Sequence, residues 1–101
     1  NLLFFDSDTP SACGGVVHYC DRFGNAITNI AVDEVGADWR VEINGQAIAQ
    51  HQTYSDVPPG ELLALIGSYG WIEVAVNQGN AQERLGLTVG TPIQATFSKN
   101  S

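Results

Sequence analysis

Two short runs of this sequence concentrate the side chains that could bind or react. The first is Asp21-Arg22-Phe23-Gly24-Asn25, followed by Thr28 and Asn29. Glycine and Asx residues favour a turn. Turn chemistry explains neither the aromatic Phe23 within it nor the density of polar side chains around it. An aromatic and an amide two apart in one turn, Phe23 and Asn25, therefore resist a purely structural reading. The second run extends from Ser68 to Asn77 and sets Glu73 inside an otherwise apolar segment. At period two Glu73 shares a face with Trp71 and Ala75, while Ile72, Val74 and Val76 face the other way. With those three filling a core, Glu73 points outward beside an aromatic ring. An ordinary solvated glutamate is the competing reading.

Other chemistries fail on spacing. His18 and Cys20 share a strand face at i, i+2, but no CxxC or HxxxH pattern accompanies them, so they read as a half-buried imidazole and a small apolar thiol, and no metal site is expected. Ser68 lies in Gly-Ser-Tyr-Gly, superficially a nucleophile elbow, yet the helix that must follow such an elbow is replaced by the strand-like residues 71–76. No GxGxxG or GxxxxGK[ST] run cradles a phosphate. The acids are scattered singly, and spacing alone picks out no carboxylate pair for acid–base work.

The elements that must position these residues are mostly strands. Residues 14–19 and 25–30 read as strands on either side of the 21–25 turn. Residues 39–43 (WRVEI) alternate at period two and meet Asn44-Gly45, a strong hairpin signal because both central residues of a type I′ turn need φ > 0. Residues 46–50 return as the partner strand. After Pro58-Pro59-Gly60, residues 62–66 form a fully apolar strand, Gly67-Ser68-Tyr69-Gly70 turns, and residues 71–76 form the next. One short helix is expected, capped by Asn80, with Glu83 three residues on and Gly86 ending it after Leu85. Leu85 and Leu87 would seal one end of the core. Residues 93–97 form the last strand. About seven short strands with one short helix near the C-terminus make the chain mainly β, a small antiparallel β-barrel. Residues 1–12 read as a leader or linker, 13–98 as the barrel and 99–101 as a tail.

With 101 residues, 44% of them hydrophobic, the chain has room for one domain and not two. No stretch approaches the ~20 consecutive apolar residues of a membrane helix, so no membrane partner is expected. Four Lys+Arg against eleven Asp+Glu give a net charge of −7, and a field of that sign repels phosphate backbones and anionic lipid, which argues against nucleic acid. Cys13 and Cys20 flank one strand, about 20 Å apart along it, too far for a disulfide. They read as reduced thiols and point to the cytoplasm. The opening Asn1-Leu2-Leu3-Phe4-Phe5 lacks the features of a signal peptide and looks like a chain cut from something longer.

The segments DRFGNAITNI (21–30), TYSDVPPGELLALIGSYGWIEVAVNQGNAQERLGL (53–87) and GTPI (90–93) carry a family resemblance. The aromatic-Gly-Asn turn, the Ser-aromatic-Gly hairpin and the GNA-helix-LGL close occur in order, and the match spans about residues 14–97. The chain resembles the C-terminal domain of the S-adenosyl-L-methionine (SAM) hydroxide adenosyltransferases, the former domain of unknown function that also contains the bacterial fluorinase and chlorinase.

That resemblance implies a two-domain protein in which a larger N-terminal α/β domain precedes the C-terminal barrel, assembled as a homotrimer. It implies SAM as substrate, held between the barrel and the N-terminal domain of a neighbouring subunit, with no separate cofactor. The catalytic residues belong to the N-terminal domain, so none is expected in this chain and the isolated chain should be inactive. Position by position, Asp21 resembles the carboxylate that meets the methionine ammonium, Phe23 the aromatic packed on adenine, and Asn25 the amide on the adenine edge. Ser68 resembles the hydroxyl at the methionine end. Tyr69 occupies the next position, where the halogenases carry arginine, a departure that favours a hydrolase forming adenosine and L-methionine. Glu73 would help hold the ammonium. Asn77, with backbone groups of Gln78, resembles the strand end that contacts adenine, and Tyr54 lines the same pocket.

The physics agrees with this assignment, because a sulfonium-plus-ammonium ligand wants carboxylates without competing lysines. Two other classes compete: a non-catalytic module that binds an adenosyl ligand or a protein, and the corresponding domain of a SAM-dependent halogenase.

Overall fold

A computed structural model describes residues 11–98. Most of the expected leader (residues 1–10) and the expected tail (99–101) lie outside the described residues. Seven strands follow one another as β1 (Ser11–Cys20), β2 (Ala26–Ala31), β3 (Ala37–Ile43), β4 (Gln46–Ala49), β5 (Leu62–Ile66), β6 (Trp71–Val76) and β7 (Pro92–Ser98), with one helix, α1 (Ala81–Leu85), between the last two. They hydrogen-bond in the order β4-β3-β7-β1-β2-β6-β5, with every neighbouring pair antiparallel. The two edges approach each other where Gln50 bridges Ala64 and the His51 amide donates to the Ala64 carbonyl at 2.8 Å, so the sheet forms a nearly closed barrel. This single bridge covers part of the β4 and β5 edges, whereas only full closure removes such edges altogether.

Local signals set most boundaries. Asn44 and Gly45 both have positive φ (50° and 78°), as the type I′ hairpin between β3 and β4 requires. α1 starts where Asn80 Oδ1 accepts from the Glu83 amide at 2.9 Å and stops at Gly86, left-handed at φ 67°. Two single 3-10 turns, Val32–Glu34 and Tyr54–Asp56, fall outside the expected elements. β1 starts at Ser11, so residues 11 and 12, read above as the end of a leader, already pair with Phe97 and Thr96. Both cysteines lie on β1 with unpaired thiols.

Alternation along the strands fills the barrel. Val17, Ile30, Val41, Ile72, Val74 and Ala95 are buried in one cluster, which Leu87 joins and against which Leu85 packs. Leu63, Leu65 and Ala75 face outward yet are also buried, because the segment after β4 folds over them and sets Val57 on top. This second cover explains why β5 is apolar on both faces.

Two expectations change. Period two fails at the end of β1, where a bulge between Val17 and Tyr19 shifts the register. His18 is consequently exposed and edge-on to the Tyr19 ring at 5.7 Å, whereas Cys20 packs against the core, so the two do not share a face. Thr28 and Asn29, counted above among the polar side chains of the first run, have structural work. Buried Thr28 donates from Oγ1 to the Ile72 carbonyl at 2.8 Å and accepts from the Ile30 amide at 3.1 Å. Asn29 Oδ1 accepts from the Val16 amide at 2.9 Å, filling a gap in the β1–β2 ladder.

Candidate functional site

The turn between β1 and β2 is organised by Asp21. Its backbone amide donates to the Asn25 carbonyl and its carbonyl accepts from the Gly24 amide, both at 3.0 Å. One carboxylate oxygen, Oδ1, accepts from the Phe23 amide at 2.9 Å and the Asn25 amide at 3.0 Å. The other accepts from Asn25 Nδ2 at 3.2 Å. Asp21 is therefore an Asx-type turn residue as well as a charge. The tight turn, with Gly24 at φ 84°, pushes Phe23 outward until its side chain is 63% exposed. The Arg22 guanidinium stacks over that ring, 5.1 Å from its centroid.

Opposite this turn stands Tyr54, presented by the 3-10 turn that follows Thr53. Thr53 Oγ1 accepts from the Ser55 amide at 3.1 Å, and Asp56 Oδ2 accepts from the amides of Gln52 and Thr53 at 3.0 and 3.1 Å. The Tyr54 hydroxyl accepts from Asn25 Nδ2 at 3.5 Å. Phe23, Asn25 and Tyr54 line an open cleft of about 540 Å³ together with Val76, Gln78 and Gly79. The Asn25 Nδ2 group is engaged by Asp21 and Tyr54, which leaves its carbonyl oxygen turned to no partner among the described residues.

Glu73 lies outward on β6, across from Ile27 on β2 and Leu65 on β5. Its carboxylate occupies the space above Gly67, where an added β-carbon would overlap it. No group among the described residues hydrogen-bonds it. Burial, and then the charge of Asp21, push the Glu73 carboxyl above its ordinary range. Burial, then Glu73, then Asp21 push the Tyr54 hydroxyl up in the same way. Two carboxylates and a phenol thus share one partly desolvated region, an arrangement that suits a small cation able to donate hydrogen bonds.

A second, more enclosed cleft of about 220 Å³ contains Tyr69 and Trp71 with His18, Tyr19 and Ile27. Because Ile27 is the register partner of Glu73, and Tyr54 feels the charge of Glu73, that glutamate sits between the two clefts. Tyr69 is 87% exposed on the rim of this second cleft, and Ser68 is exposed beside it at the β5–β6 hairpin tip, lining neither cleft. The hairpin is followed by β6, with no helix behind Ser68.

The structure thus brings Asp21, Phe23, Asn25, Tyr54 and Gln78 together, with Glu73 adjoining them, and sets Ser68 and Tyr69 at the far end. Asn77 stands apart. Its side-chain amide donates to the Val57 carbonyl at 2.8 Å, and its backbone bonds Glu61 and Gly60 at 3.0 and 2.7 Å, so it anchors the loop that presents Tyr54. Sequence reasoning missed Gly67, Val76 and Gly79. Gly67 reads as an ordinary turn glycine, and nothing local announces the carboxylate above it. Among the described residues no three His, Cys, Asp or Glu side chains converge on a possible metal site, and no helix is long and apolar enough to cross a membrane.

Comparison with known proteins locates similar chains. Residues 15–94 match the family described as SAM hydroxide adenosyltransferase C-terminal domain. An (R)-S-adenosyl-L-methionine hydrolase from Thermus thermophilus is 45% identical over 80 residues, covering 79% of this chain and 31% of that protein. A protein of the same name from Salinispora tropica is 38% identical over 79 residues, covering 75% of this chain and 30% of its own length. The chain therefore spans about a third of the curated relatives it matches. A conserved hypothetical protein from Thermus thermophilus, known from its crystal structure, superposes with a TM-score of 0.74 at 41% identity, covering 81% of this chain and 34% of that one. An uncharacterised conserved protein from Thermotoga maritima superposes with a TM-score of 0.72 at 33% identity, covering 86% and 38%.

Proposed function

We propose, from the premise that this chain belongs to the SAM hydroxide adenosyltransferase family as its C-terminal domain, that it forms the substrate-holding half of a SAM hydrolase site. The observation that carries this reading is the cleft of Phe23, Asn25 and Tyr54 joined to the unpartnered carboxylate of Glu73 beside Asp21. Adenine stacks on Phe23 and is read at its edge by Asn25, with Gln78 completing the wall. The methionine ammonium lies against Asp21 and Glu73. Ser68 meets the methionine end, next to Tyr69 in place of the halogenases' arginine.

The reaction is displacement at the ribose C5′. Water forms the new C–O bond, the C5′–S bond breaks with its electron pair leaving on methionine sulfur, and the water proton passes to a group outside this chain. Such a displacement gains chiefly from holding sulfur, carbon and nucleophile in line. Asp21 and Asn25 therefore position substrate and transfer no proton. The remaining half of the site comes from the N-terminal domain of a neighbouring subunit in a homotrimer. The open cleft and the exposed Phe23 and Tyr69 support a site completed by another surface, and the name of the relatives supports water as nucleophile. Unpaired thiols at Cys13 and Cys20 favour the cytoplasm.

The test is chromatography of the complete gene product after incubation with SAM, with and without chloride or fluoride. Adenosine and methionine formed without halide, with Asn25→Ala both weakening substrate binding and slowing turnover, is the expected result. A halo-deoxyadenosine would instead make it a halogenase. No product from folded, trimeric protein, with micromolar adenosine binding by this chain alone, would make it a self-contained binding module.

A further inference from the structure

α1 is only five residues long, too short to persist without tertiary contacts. Its contacts reach both walls of the cleft. On one side the Gln82 amide donates to the Gly24 carbonyl at 2.8 Å. The Asn80 side chain fills the space in which a β-carbon at Gly24 would lie. Gly24 belongs to the turn that presents Phe23 and Asn25. On the other side Arg84 Nη2 donates to the Gly60 carbonyl at 2.5 Å, and the Gly60 amide donates to the Asn77 carbonyl at 2.7 Å. That is the anchored end of the loop presenting Tyr54. The helix itself is held by buried Ala81 in the core, by the Asn80 cap, and by Asn44 Nδ2, which donates to the Leu85 carbonyl at 2.7 Å.

We propose that α1 is a brace across the cleft, and that Asn80 and Arg84 are positioning residues that fix the spacing between the Phe23/Asn25 wall and the Tyr54 wall. Neither lines the cleft. Each acts through a backbone carbonyl or a glycine on the wall it holds. The contact from Asn25 Nδ2 to the Tyr54 hydroxyl, already long at 3.5 Å, is the point at which a change in spacing is felt. The inference rests on the reading of this cleft as the adenosyl site, and it adds residues that set affinity without touching substrate.

The experiment compares Asn80→Ala and Arg84→Ala with the conservative Asn80→Asp and Arg84→Lys in the complete gene product. Each alanine variant should raise KM for SAM about fivefold and lower kcat by only about twofold, a smaller loss of turnover than Asn25→Ala gives, because the walls shift while every group that holds the substrate in line is still present. Asn80→Asp should restore most of the affinity, since a carboxylate caps a helix as well as an amide does. Arg84→Lys should restore part of it. Amide hydrogen exchange supplies a second readout, faster at Phe23 and Asn25 in Asn80→Ala and faster at Gly60 in Arg84→Ala. Arg84 is a surface side chain, so its variant keeps the test open if Asn80→Ala does not fold. Unchanged KM in folded variants overturns the brace, as does a loss confined to kcat. Absence of turnover in the wild type overturns the functional reading instead. Exchange at Phe23, Asn25 and Gly60 then decides the brace, acceleration supporting it and unchanged rates overturning it.

Discussion

The Glu73 carboxylate rests where a side chain on Gly67 would begin. The missing β-carbon at the start of the β5–β6 hairpin is what lets a glutamate from the middle of β6 lie partly desolvated within the field of Asp21. Gly67→Ala should therefore displace the carboxylate before it disturbs the barrel. In the complete gene product we expect KM for SAM to rise about tenfold with the melting temperature lowered by only a few degrees, roughly the cost of local overpacking at a surface. Unchanged KM would dissociate Glu73 from substrate binding.

Glu73 also makes stability depend on pH. Its folded-state pKa is raised, by burial first and by Asp21 second. Between the ordinary carboxylate value and that raised value the folded protein binds more protons than the unfolded chain. The contribution of this group to stability accordingly falls as pH rises through that window and is recovered on acidification. Glu73→Gln should flatten the profile and raise the melting temperature at neutral pH by about 1–2 °C, a small gain because solvent screens a half-exposed carboxylate. Thermal melts of both proteins from about pH 4 to about pH 8 provide the check. Parallel profiles would count against the assignment.

Phe23 offers the opposite balance, with little to lose in stability and much in binding. Because its ring is largely exposed, Phe23→Ala should leave the melting temperature within about 1 °C. Removing a stacking platform should weaken adenosine binding by about tenfold or more. Calorimetric titration with adenosine reads the second effect, and equal affinity in the two proteins would remove Phe23 from the site.

Thr28 is the converse case. Thr28→Val leaves the Ile72 carbonyl and the Ile30 amide without the hydroxyl that serves both. Urea unfolding should reveal a loss of about 2 kcal/mol, the usual cost of stranding buried polar groups. Adenosine affinity in the folded variant should stay unchanged, since Thr28 lines the other cleft.

What the sequence determined alone is whatever a few consecutive residues can decide. Asn44-Gly45 fixed a hairpin because such a pair tolerates two successive positive φ angles. Asn80 and Gly86 set the ends of α1, and alternation in β6 put Ile72, Val74 and Val76 inside and Glu73 outside. Phe23 and Asn25 stood out because both belong to one turn, and that turn sets them together in the lining of one cleft. Contacts between residues distant in sequence were illegible. Local periodicity did not reveal the bulge that parts His18 from Cys20, the loop that seals Leu63 and Leu65 from solvent, or the approach of His51 to Ala64 that nearly closes the barrel. The same holds for function. Asp21 and Glu73 are 52 positions apart (73 − 21) in the sequence, and only the pairing of β2 with β6 brings their charges within reach of each other. A charge acquires its chemistry from distance and desolvation, and both are properties of the folded chain.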